Sequence, residues 1–272
     1  AFNKYLKRPI PLAVISGSSQ DSKYYFIKGQ TKLKMKKSIL DFRYMSVRDD
    51  WTQKMIEYIT DGDFVPKVTP DPVFAFNNNA SHLVPSKEEI IKKFDIPNDY
   101  IILSFKGAKS VSQDWINELQ KLANTKGLAC VKLPYADAPA FGDIQYSVGD
   151  IVTPLEWYAL IKHSKGYIGN NMHPIVTSIT NGVPFFSFDN YGIPMIDGKQ
   201  TNGESSKIYH ILKQADLLDN RIYTCCKDYS PIEPKEVLNK IINFDVLKEK
   251  TFADRYYKQY EKMMIDVFKS IK

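Results

Sequence analysis

Residues 154–188, PLEWYALIKHSKGYIGNNMHPIVTSITNGVPFFSF, decide how the chain folds. Helical spacing over 154–163 gives way to a short apolar run at 166–168, then a second helical stretch at 172–181 and a second apolar run at 184–188. Two strand-sized apolar runs separated by a helix-length segment make a parallel β-α-β unit, because parallel neighbours need a long crossover. Between the first strand and the helix stands Gly166-Tyr-Ile-Gly-Asn-Asn-Met-His173-Pro174, a tight Gly-Asn-Asn turn in which His173 and Pro174 open the helix. Proline is at home in a first helical turn, and exposed amides there favour an anion.

The same alternation extends outward. Upstream, the spacing predicts a strand at 100–105, a helix at 112–124 and a strand at 128–133, preceded by Ser86 as a helix cap with Glu88 and Glu89 in the first turn. Downstream it predicts helices at 205–215 and 233–243, a strand at Arg221–Cys225, and a long terminal helix over 246–269 carrying Phe252, Tyr256, Tyr260, Met263 and Met264. Nearer the start, Leu12–Ser16, Arg43–Val47 and Phe64–Val68 read as strands, with helices at 23–39 and 50–59; Asn77–Ser81 reads as a polar linker. The fold class is therefore α/β, with two parallel-sheet units split near residue 80. The N-terminal unit is expected to comprise 1–84 plus 246–272 and the C-terminal one 85–245, the terminal helix returning to cover a thin first unit.

Composition excludes several classes. With 43% hydrophobic and 25% charged residues, the 272-residue chain is neither disordered nor collagen-like. Its longest apolar runs, Tyr100–Phe105 and Val183–Phe188, are far short of the ~20 residues of a membrane helix. A net charge of +6 without an aromatic-interleaved basic face argues against nucleic acid, and Lys32, Lys34, Lys36 and Lys37 read as a solvated helix face. Cys130, Cys225 and Cys226 form no CxxC pair, and the four histidines lack a second ligand at metal spacing, so the chain reads as cytoplasmic, reduced and free of a structural metal. The opening AFNKYLKRPIPLAV lacks the apolar core of a leader peptide, and the initial Ala in place of Met points to a processed, shortened or incomplete start.

Ligands of open parallel sheets bind beyond the carboxyl ends of the strands. Three such loops stand out. In Val47-Arg48-Asp49-Asp50, Asp50 is expected to cap the following helix, while Arg48 can hold a carboxylate or phosphate in a bidentate grip or pair with Asp49. In Thr69-Pro70-Asp71-Pro72, Asp71 reads first as a turn former. In the third, His173 is placed for proton transfer or a phosphate contact. His82, His163 and His210 are read as structural.

These residues, taken in order, carry a resemblance. Ser46-Val-Arg-Asp49, Pro70-Asp71-Pro72, the 154–188 segment and Ser205-Ser206-Lys207-Ile208 are together similar to the polysaccharide pyruvyl transferase family. The resemblance implies a GT-B-like arrangement, two Rossmann-type domains facing a cleft, with the N-terminal one shortened. It implies transfer of pyruvate from phosphoenolpyruvate to sugar hydroxyls as a ketal in surface-polysaccharide synthesis, without a cofactor. The partners implied are phosphoenolpyruvate and a glycan or lipid-linked saccharide acceptor, with peripheral membrane contact compatible and no transmembrane segment. By position, His173 becomes the acid or phosphate contact, and Arg48, Asp49, Asp71, Asn171 and Lys207 become substrate-binding residues. One departure matters: Asn171 stands where the family has the Arg of an Arg-x-His motif, bringing hydrogen-bond donors but no charge. Lys207 or Lys106 would have to supply that charge. A nucleotide-sugar glycosyltransferase of the same architecture and a non-catalytic carbohydrate-binding relative are the alternatives.

Overall fold

The computed structural model describes residues 10–135, 139–149 and 151–272. The reading of the first nine residues lies outside them.

The N-terminal sheet holds three parallel strands, β1 (Ala13–Gly17), β2 (Tyr44–Val47) and β3 (Lys67–Val68), in that order. Helices α1 (Gly29–Leu40) and α2 (Asp50–Ile59) connect them, and Ile39, Val47, Ile56 and Ile59 form their core. The helix expected over 23–39 is interrupted. Residues Tyr24–Phe26 make a single 3-10 turn, Lys28 is extended, and Gly29 starts α1 at a left-handed φ of 57°.

The stretch expected to be a polar linker is helical. α3 (Phe76–Ala80) holds because Asn77 donates to the Thr180 carbonyl and to Asn181, and accepts from the Tyr158 hydroxyl. Tertiary hydrogen bonds there override the turn-like composition. α4 (Lys87–Phe94) then begins with the expected Ser86 cap, completed reciprocally by Glu89.

The C-terminal sheet has six parallel strands, two of them outside the central alternation. These are β4 (Tyr100–Ser104), β5 (Ala129–Lys132), β6 (Tyr146–Ser147), β7 (Gly166–Gly169), β8 (Phe185–Asp189) and, after the short hairpin β9 (Met195–Ile196) and β10 (Lys199–Gln200), β11 (Arg221–Tyr223). They are ordered β11-β8-β7-β4-β5-β6. α5 (Gln113–Asn124) and α9 (Pro234–Ile242) cover one face through Trp115, Ile116, Leu119, Val237 and Ile241. α6 (Pro154–Lys162), α7 (Met172–Asn181) and α8 (Lys207–Ala215) cover the other.

α10 (Val246–Ile271) crosses from one sheet to the other. Phe252 and Tyr256 pack on Phe74 within the C-terminal core. Two turns later, the Met263 sulfur meets the Ser16 and Ser46 hydroxyls at the ends of β1 and β2. One helix thus grips both domains, which brings the carboxyl ends of their strands toward one cleft.

Candidate active site

At the end of β2 the Arg48 amide donates to the Gly17 carbonyl at 3.0 Å, fixing the loop against β1. Asp49, not Asp50, caps α2: Oδ1 accepts from the Thr52 amide and hydroxyl at 2.7 Å each, and Oδ2 from Ser18 at 2.8 Å. Asp49 has the extended backbone of a cap, whereas Asp50 is already helical. Asp50 instead lies against His210 of α8, 3.4 Å from Nδ1, and its amide donates to the same nitrogen at 3.3 Å.

Arg48 does not turn to Asp49. Its guanidinium pairs with Asp71, at the end of β3, whose other oxygen accepts from the Val73 amide at 3.1 Å. Asp71 is therefore both a turn former and an ion-pair partner. Beneath the pair, Ser16, Ser46 and Thr69 join the three strand ends through their hydroxyls, Thr69 donating to Ser46 at 2.8 Å.

From the other domain come the loops after β7 and β8. Gly169 lies so close to β4 that an added Cβ would stand 2.2 Å from the Ser104 carbonyl oxygen, so glycine is required there. Asn170, fully buried, then ties three strands together: it accepts from the Lys106 amide and donates to Ser110 and to the Phe188 carbonyl. Asn171 starts α7 with no side-chain capping bond, and His173 is exposed in the first turn. After β8, Asp189 holds Arg221 at 2.7 Å, and the loop runs back to Ser206, the cap of α8, and to Lys207.

His173, Arg48, Asp71 and Lys207 share one electrostatic environment. The cleft walls desolvate His173 and hold its pKa below the usual histidine range; Asp71 opposes the effect, and Arg48 and Lys207 reinforce it. Lys207 is 9% exposed, and no carboxylate lies within ion-pair distance of its ammonium among the described residues. Burial, then Arg48, lowers its pKa, while Asp21, Asp49 and Asp71 pull the other way. The Tyr191 ring lies 5.3 Å from its nitrogen.

The structure thus brings five of the six sequence-derived candidates, Arg48, Asp49, Asp71, His173 and Lys207, to one cleft. It leaves Asn171 as a helix cap beside it. Three residues were not read as parts of the site. Asp21 follows the first strand, as Arg48 follows the second, and burial raises its pKa while Lys207 opposes the effect. Asn170 is a buried joint rather than a turn residue, and His210 sits at the domain contact. Among the described residues no group of three or more His, Cys, Asp or Glu is placed to hold a metal ion, and no helix is long and apolar enough to cross a membrane.

The family model for polysaccharide pyruvyl transferase matches residues 2–191, from before β1 through β8. The chain belongs to that family. No curated protein matches it. Among solved structures, this family member is similar in fold to a UDP-GlcNAc 2-epimerase from Neisseria meningitidis bound to UDP-GlcNAc, with TM-score 0.54, 10% identity, and 95% of this chain covering 69% of that one. A variant of the wall teichoic acid polymerase TagF matches with TM-score 0.50 and 13% identity, covering 94% of this chain and 66% of TagF. A second TagF structure, with TM-score 0.49 and 14% identity, covers 93% of this chain. The chain spans 62% of the length of that TagF chain. At such identities the likeness is one of fold: two parallel α/β domains in a GT-B-like arrangement.

Proposed function

We propose that the chain transfers the enolpyruvyl carbons of phosphoenolpyruvate to two hydroxyls of a saccharide, forming a ketal and releasing phosphate. The observation that carries this reading is Lys207, a residue only 9% exposed whose ammonium has no carboxylate partner among the described residues, set beside Arg48 and His173. A buried cation of that kind is costly unless an anion meets it. A small donor bearing both phosphate and carboxylate fits two cations and a histidine on facing loops.

The chemistry follows from these groups. Ketal formation needs a proton on the methylene carbon as C2 becomes electrophilic, and His173 is the titratable group facing the anion site. Arriving negative charge raises its pKa, so the donor itself recruits the proton. Lys207 and Arg48 hold the anionic groups, with Asp71 keeping the Arg48 guanidinium in place. Lys207 also answers the charge question raised by Asn171: a cation from α8 serves where the family pattern has one on α7.

Acceptor-dependent phosphate release from phosphoenolpyruvate, measured with glycosides and lipid-linked saccharides, tests the proposal. Absence of release with every acceptor sinks it. A nucleotide-sugar donor would use the same cations, and stabilisation of the protein by nucleotide sugars but not by phosphoenolpyruvate would favour that reading.

A further inference from the structure

His210 reads from the sequence as structural, yet it joins the two domains. Asp50 is the first residue of α2, and its amide is one of those at a helix start that have no partner within the helix. That amide donates across the domain contact to Nδ1 of His210, on α8, at 3.3 Å, and the Asp50 carboxylate lies 3.4 Å from the same nitrogen. An Nδ1 that accepts from an amide is unprotonated, so the ring carries its proton on Nε2. Burial favours this neutral form; Asp50 and Asp49 oppose the effect and Lys213 reinforces it.

Stability does not account for an imidazole here. His210 is 5% exposed, and its Nε2 is buried without a hydrogen-bond partner among the described residues. An unpaired buried donor costs the fold free energy that an apolar side chain in its place would spare. What the imidazole supplies is an acceptor for one amide of the other domain.

Each end of this contact stands next to one cation of the anion site. His210 follows Lys207 by three residues, so both occupy one face of α8. Asp50 follows Arg48 by two residues, and Asp49 between them is fixed as the cap of α2. Arg48 is itself held through its amide by the Gly17 carbonyl and through its guanidinium by Asp71. The hydrogen bond therefore ties the helix turn that carries one cation to the strand end that carries the other. We propose that His210 is a positioning residue that sets the separation of Lys207 from Arg48, and so the fit of a donor with two anionic groups, an inference that rests on the pyruvyl-transfer reading above. Phosphoenolpyruvate needs both cations at a fixed spacing, whereas inorganic phosphate can be met by one. Cations held in place before binding spare the donor the entropy of ordering them.

The test is calorimetry of phosphoenolpyruvate and of inorganic phosphate binding to the wild type and three variants, with circular dichroism to confirm folding. His210→Leu removes the acceptor, and His210→Gln keeps one. Asp50→Pro removes the donor amide together with the carboxylate and leaves His210 intact. Proline is accepted at a first helical position, and the extended Asp49, with φ −148° and ψ 152°, suits the residue before it. The Leu and Pro variants should bind phosphoenolpyruvate ~10-fold more weakly than the wild type, with inorganic phosphate within about twofold. The Gln variant should stay within about threefold for both ligands. If the Leu variant does not fold, the Pro variant decides. Wild-type affinity for phosphoenolpyruvate in the Pro variant, or an equal loss for both ligands, overturns the role of His210 while leaving pyruvyl transfer intact. A Gln variant that loses phosphoenolpyruvate as the Leu variant does overturns it as well. No phosphoenolpyruvate binding by the wild type overturns the donor reading and the assignment of His210 with it.

Discussion

The guanidinium of Arg48, at the end of β2, is paired with the carboxylate of Asp71, at the end of β3. Both are largely buried, and the pair joins two strands that are themselves adjacent and parallel. It also sets the charge felt by His173 from the facing domain.

Breaking this pair from one side should harm both stability and the site. Arg48→Met leaves Asp71 buried without its cation, which is expected to cost roughly 3 kcal/mol in urea unfolding. Asp71→Asn removes the one neighbour that raises the His173 pKa, so an NMR titration of His173 should move further below the usual histidine range. An unchanged titration would show that Asp71 does not act on His173.

The lowered His173 pKa makes a prediction about binding. The free imidazole is largely neutral near neutral pH, while the anion-bound form favours the protonated state. Phosphoenolpyruvate binding should therefore take up a proton. Affinity should fall as pH rises between the pKa of the free protein and that of the complex. Calorimetry in buffers of different ionisation enthalpy measures that uptake directly, and buffer-independent heats would refute it.

Lys207 sets function against stability. Lys207→Met removes a desolvated charge and should stabilise the fold by roughly 1 kcal/mol, because the ammonium has no carboxylate partner to lose. The same change should weaken phosphoenolpyruvate binding ~100-fold, about 2.7 kcal/mol. A thermal melt paired with a binding titration checks both halves.

Asn171→Arg restores the charge of the family motif at an uncapped helix start. It should tighten phosphoenolpyruvate binding by about tenfold, since a guanidinium adds a charge-assisted bond there. No gain in affinity would mean that Lys207 already fills the role or that the cleft binds another class of ligand.

Glu249 on α10 gives a stability test away from the site. It is fully buried, neither carboxylate oxygen has a partner, and burial pushes its pKa up to about 9 from 4.5. The folded state holds this proton where the unfolded chain has lost it. Its stabilising effect is therefore complete below about 4.5 and is lost as pH rises toward about 9, at about 1.4 kcal/mol per pH unit. Glu249→Gln should remove that slope and gain about 3 kcal/mol near neutral pH in urea unfolding.

Much of this molecule is legible in its residue order. The helix at 50–59, the helix at 172–181 and the Ser86 cap follow from spacing and local side-chain chemistry, because a helix or strand is largely set by its own periodicity. The errors fell where distant partners decide. Asn77 is helical through hydrogen bonds to α7 and to Tyr158. The cap of α2 passes from Asp50 to Asp49 because two carboxylates in a row can each cap, and Ser18, from another strand end, adds a third donor to Asp49.

Sequence by itself determined the α/β class and the residues that stand in the loops and helix starts after strands: Arg48, Asp71 and His173. These depend on neighbours a few positions away. Only the tertiary structure decided that Arg48 pairs with Asp71, that Lys207 comes within the field of His173, and that His210 meets Asp50. The first rests on the pairing of β2 with β3, whereas the contact of Asp50 with His210 joins residues 160 positions apart. Electrostatic energy falls with distance in space and is blind to distance along the chain.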